Sequence, residues 1–90
     1  MKQALAAYLK KKVVIDTRSQ WMYIGVLEDI VDNCIVLSDV DVHDNDSAQA
    51  TKEFYVLKSK KTGIKSNRHK VHINMDFVVS FSGLEDIKNF

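Results

Sequence analysis

Val71-His72-Ile73-Asn74-Met75-Asp76-Phe77-Val78-Val79-Ser80-Phe81-Ser82 decides the fold class. Val71, Ile73, Met75, Phe77, Val79 and Phe81 recur at every second position for six alternations, the period of a strand with one face on a core. The stretch predicts the last strand of a sheet. Upstream, Phe54-Tyr55-Val56-Leu57 within Lys52 to Lys58 predicts a fourth strand, separated from the last by a basic loop around Thr62-Gly63. Cys34 to Val42 predicts the third, with Ile35-Val36-Leu37 buried before Asp39, Asp41 and His43 alternate with Val40 and Val42. Asp44 to Ala50, small and polar, reads as a loop. Trp21 to Val31 predicts a long second strand bent at Gly25, followed by a turn at Asp32-Asn33. Val13 and Ile15 mark the first strand, and Thr17 to Gln20 supplies turn chemistry. Before it, Leu5, Tyr8 and Leu9 form the stripe of a short amphipathic helix over Met1 to about Lys12.

A helix followed by five strands, without proline and without βαβ alternation, predicts an all-β, five-stranded bent antiparallel barrel of the SH3-like or OB-like kind. Its expected core includes Val13, Ile15, Leu27, Val36, Leu37, Ile73, Phe77 and Val79. Ninety residues suit one domain, with the helix at about 1–12, the barrel at about 12–82 and a short tail at 83–90. The 46% hydrophobic and 28% charged content excludes a disordered chain, and no apolar run is long enough to span a membrane. Ala4 to Leu9 is too short for a signal-peptide core, so a cytoplasmic protein is expected. Cys34 is the single cysteine, which fits that address and reads as a buried, inert thiol. No nucleophile sits in a catalytic context, so neither an enzyme nor a cofactor is expected.

The net charge of +1 hides an asymmetry, for residues 1–50 carry −3 and residues 51–90 carry +4. Lys58, Lys60, Lys61, Lys65, Arg68 and Lys70 lie in a stretch without an acid, a block able to release counterions from a phosphate backbone. No aromatic side chain interrupts that block, and a solvated hairpin guarding a sheet edge is its plain structural reading. Asp39, Asp41 and His43, at i, i+2 and i+4 of a strand, share a face and form a ligand set suited to a divalent metal, provided another strand contributes. A solvent-facing strand is the alternative. His72 falls on the polar face of its strand, exposed or at an interface, and Trp21 anchors either a core or an interface.

These segments resemble the Sm and Sm-like family, which includes the bacterial Hfq proteins. The first Sm motif is matched by Tyr23-Ile24-Gly25-Val26-Leu27, an acidic turn, and Asn33-Cys34-Ile35-Val36-Leu37-Ser38-Asp39. The hydrophobic spacing of the second is matched by Val71 to Phe81, with Asn74-Met75 where the family has Arg-Gly. The resemblance covers about residues 3–82 and looks like a divergent bacterial offshoot. It implies a bent barrel assembled into rings and single-stranded RNA as ligand. It places Asn33, with Asp29 or Asp32, and Asn74 in a base pocket, which Asn74 can serve as a hydrogen-bonding edge but not as a cationic plane. The chain is therefore expected to be a homo-oligomeric ring closed through strand edges Phe54 to Leu57 and Phe77 to Phe81. Asn33, Asn74 and the six basic residues are its candidate RNA contacts. An oligomeric protein-interaction scaffold, with a metal near Asp39, Asp41 and His43, is the alternative.

Overall fold

A computed structural model describes residues 1–46 and 51–88, so the last part of the loop expected through Ala50 and the end of the expected tail lie outside the described residues. The elements are α1 (Lys2–Ala6), β1 (Lys12–Thr17), β2 (Trp21–Val31), β3 (Cys34–Asp44), α2 (Lys52–Thr62), β4 (Arg68–Asn74) and β5 (Val78–Gly83). The strands form one antiparallel sheet in the order β4-β3-β2-β1-β5, leaving β4 and β5 as its edges. The sheet bends about a core of Leu5, Val13, Ile15, Leu27, Ile35, Leu37, Val40, Ile73 and Val78. The expected N-terminal helix is shorter than its sequence stripe, so Leu5 is buried while Leu9 remains exposed.

Two irregularities between β2 and β3 produce the bend. Ile24 and Val26 oppose Asp41 and Ser38, so β3 carries an extra residue there, and Asp39 adopts a left-handed φ of 49°. One turn further on, Leu27 and Asp29 oppose Leu37 and Val36, making Glu28 the extra residue of β2. Each bulge adds local twist, which turns a flat ribbon into a curved wall.

Several sequence expectations fail, two of them at the level of whole elements. The segment expected as the fourth strand, including the proposed pairing edge Phe54 to Leu57, is instead the helix α2. Thr51 caps it by accepting from the Phe54 backbone N–H at 3.2 Å, and Gly63 ends it at φ 94°. Glu53 in its first turn and Lys60 and Lys61 in its last complement the helix dipole. A four-residue apolar run fits a buried strand or a helix equally well, and the caps decide between them. The helix lies outside the barrel wall, where Val56 joins Val14, Met22, Ile24 and Leu84 in a second apolar layer.

The opening stretch is not one strand either. Asn74 caps a single 3-10 turn at Met75–Phe77 by accepting from the Asp76 N–H at 2.9 Å, and the chain then crosses to the opposite edge of the sheet. This turn divides the alternation into two strands and keeps the total at five. Phe77, expected in the core, is 57% exposed on the turn. Val79 is 61% exposed because β5 bulges opposite Asp16 and Thr17, leaving Val79 without a register partner. Val36 is half-buried on the outer face of β3.

Candidate nucleic-acid interface

The β2–β3 hairpin closes through Asp32-Asn33 in two residues, with Asp32 at φ 53°, a conformation that Asp tolerates. Across the sheet Cys34 stands opposite Asn74 in register. The Asn33 carbonyl accepts the Met75 N–H at 2.9 Å, and Asn33 Nδ2 donates to Asn74 Oδ1 at 3.1 Å. The structure thus brings the two candidate asparagines into contact. Asn74 Oδ1 is doubly engaged, since it also caps the 3-10 turn. Among the described residues Asn74 Nδ2 and Asn33 Oδ1 have no protein partner, leaving a free donor and a free acceptor at one exposed spot. They border an open hollow of about 560 Å³, lined also by Val31, Asp32, Cys34, Val36 and His72. Cys34, expected buried, is half-buried in this wall, its thiol directed at the Ile35 carbonyl.

His72 is a feature that sequence reasoning undervalued. It is exposed, opposite Val36, and its imidazole shares the hollow with both asparagines. Its place on the polar face was legible, but its neighbours were not.

The basic block does not form one hairpin loop. Lys58, Lys60 and Lys61 stand on α2, Lys65 follows its C-cap, and Arg68 and Lys70 lie on β4. Lys60 Nζ donates to the Ile87 carbonyl, tying the helix to the C-terminal segment. Lys70 lies opposite Ser38 and near Glu28. Hydrogen bonds from Lys10 Nζ and Ser38 Oγ, 2.9 Å each, hold the Glu28 carboxyl below the usual carboxylate range, with the Lys70 charge contributing. From Arg68 to Asn74 the strand extends about 20 Å. The helix lysines and the asparagine pair therefore lie toward opposite ends of β3 and β4.

The metal trio is not assembled. The bulge at Asp39 removes it from the strand alternation and leaves it exposed, while Asp41 is 5% exposed beneath α2. Tyr55 Oη donates to one Asp41 oxygen, and Asn67 Nδ2 approaches the other at 3.4 Å. Burial, reinforced by the Asp41 carboxylate, pushes the Tyr55 hydroxyl above its ordinary range. His43 stacks on the Tyr55 ring, with centroids 3.7 Å apart and planes 17° from parallel. Among the described residues no three His, Cys, Asp or Glu side chains converge to hold a metal ion. Asp41 and His43 fasten a helix instead.

Compared with solved structures, the chain is similar to a Pyrococcus abyssi Sm protein in complex with a uridine heptamer. The identity is 17%, covering 91% of this chain and 94% of that one, with a TM-score of 0.62. It is also similar to a heptameric archaeal Sm protein, at 14% identity over 90% and 96% of the two chains and a TM-score of 0.56. The fold is the Sm fold. No protein-family model matches the chain, and no curated protein matches it in sequence. In this chain α2 packs on the sheet through Val56, against Val14, Met22 and Ile24. Among the described residues no helix is long and apolar enough to cross a membrane.

Proposed function

We propose that this chain is a non-enzymatic RNA-binding module that assembles with copies of itself into a ring. The observation carrying the reading is the contact between Asn33 and Asn74, which joins two turns 41 residues apart in sequence into one exposed polar site. A carboxamide donor and a carboxamide acceptor side by side match the hydrogen-bonding edge of an unpaired base, and the His72 imidazole supplies a ring for stacking. One similar Sm protein holds a uridine heptamer and another is heptameric, which supports both parts of the proposal. The free edges suited to ring closure are β4 and β5. Exposed Phe77 and Val79 at the β5 edge are apolar surface that a neighbouring copy would cover.

Fluorescence anisotropy with labelled oligo(U) and oligo(A) at low and moderate salt tests the RNA reading. Asn33→Ala or Asn74→Ala is expected to cost on the order of 1–3 kcal/mol for the preferred base and much less for the other, by analogy with direct base readout. No detectable binding of either oligonucleotide at low salt overturns it in favour of a protein-interaction scaffold.

A further inference from the structure

Because residues 52–62 form a helix, an aromatic ring and two lysines spaced apart in sequence share one face, and a third lysine follows the cap. Inward-facing groups of α2 are used for attachment. Val56 packs in the second apolar layer, Tyr55 holds Asp41, Lys52 pairs with Asp16, and Lys60 reaches the Ile87 carbonyl. Phe54, Lys58 and Lys61, at i, i+4 and i+7, take the outward stripe, and all three are exposed. Lys65, exposed beyond the Gly63 cap, borders the same small hollow as Lys58 and Thr62. Phe54 is 60% exposed, an aromatic surface that packing among the described residues does not use. Among the described residues Lys58, Lys61 and Lys65 make no ion pair, and Glu53 is the one acid of the helix.

We propose that this outer face of α2 is a second single-stranded nucleic-acid contact, in which Phe54 stacks a base while Lys58, Lys61 and Lys65 hold adjacent phosphates. Charge complementarity selects a polyanion, and the flat ring among cations selects one that carries bases, the combination found in sequence-tolerant strand binding. Phe54 and Lys61 are about 10 Å apart along the helix, room for more than one nucleotide. This inference rests on the RNA reading above but uses none of the same residues. The helix stripe binds without base preference, whereas the asparagine pair reads base edges.

The test measures labelled oligo(A) and oligo(U) by anisotropy across a salt series, on full-length protein whose circular dichroism is unchanged by the substitutions. Phe54→Ala is expected to weaken both oligonucleotides roughly tenfold, and Phe54→Trp to restore them. The triple variant Lys58→Gln, Lys61→Gln, Lys65→Gln should reduce the slope of log affinity against log salt by about 2. In the Asn33→Ala, Asn74→Ala background the Phe54 effect should persist. A protein that binds RNA but is indifferent to Phe54→Ala overturns the helix contact and leaves the asparagine site standing. A Phe54 effect with no asparagine effect does the reverse. Absence of binding at low salt overturns both, and a Phe54-dependent complex with a labelled poly-glutamate peptide in place of RNA overturns the nucleic-acid reading of the helix face.

Discussion

Gly25 stands where β3 presses against β2. A Cβ there would meet the Ser38 carbonyl oxygen at 3.0 Å and Val40 Cγ2 at 3.2 Å, and a backbone oxygen cannot yield as a side-chain tip can. Gly25→Ala is expected to cost about 1–3 kcal/mol, read as a lower urea midpoint with an unchanged m value. Tyr55 is the other informative side chain, because its hydroxyl satisfies a buried carboxylate. Tyr55→Phe should destabilise by about 1–3 kcal/mol at neutral pH, the cost of leaving Asp41 short of a donor. The pH dependence has a definite sign. With the folded-state value raised above the ordinary 10.0, the native protein keeps a proton that the unfolded chain loses. The contribution is complete below about pH 10 and lost as pH rises toward the raised value. Urea titrations of the two proteins should therefore converge above pH 10, and a constant gap would show that Tyr55 does not titrate in this way. The need for glycine at position 25 was legible from its place within a strand pattern. The partnership of Tyr55 with Asp41 was not, because nothing local to either residue refers to the other.

At the scale of the element, α2 depends on its ends and on one anchor. Thr51→Ala removes the cap on the Phe54 N–H and should cost about 1 kcal/mol. Gly63→Ala forces a side chain into φ 94° and should cost about 1–2 kcal/mol, although the space around it is open. Both are measured by chemical denaturation followed at a helical circular-dichroism wavelength, and neither should alter the five-stranded sheet. Val56→Ala, which thins the layer over Val14, Met22 and Ile24, should cost about 1–3 kcal/mol. If α2 were an independent appendage, Val56→Ala would melt the helix without moving the global transition. The signals at Thr51 and Gly63 were present in the sequence, yet Phe54 to Leu57 read as a strand because a short apolar run has no period long enough to distinguish the two.

At the scale of the whole molecule, an open sheet with two free edges predicts association. Replacing Phe77 and Val79 by lysine, both exposed in the single chain, should leave folding intact while blocking the β5 edge. Sedimentation equilibrium is expected to show the unmodified protein as a multiple of 10.3 kDa and the double variant as the monomer. A monomeric unmodified protein would remove the ring. The local alternation of β1, β2 and β3, the helix stripe through Leu5 and the turn at Asp32-Asn33 were determined by sequence alone, because strand period and turn chemistry act between near neighbours. Tertiary structure decided the rest. The 3-10 turn at Met75–Phe77 became visible only once Asn74 had a cap to make, and it sends Val78 rather than Phe77 inward. The bulge at Asp39 separated three residues that an ideal strand would align. The meeting of Asn33 with Asn74, and of Phe54 with Lys58 and Lys61, depends on register and on helix formation. Both are settled by which surfaces the folded chain can bury together, a long-range balance that no window of sequence contains.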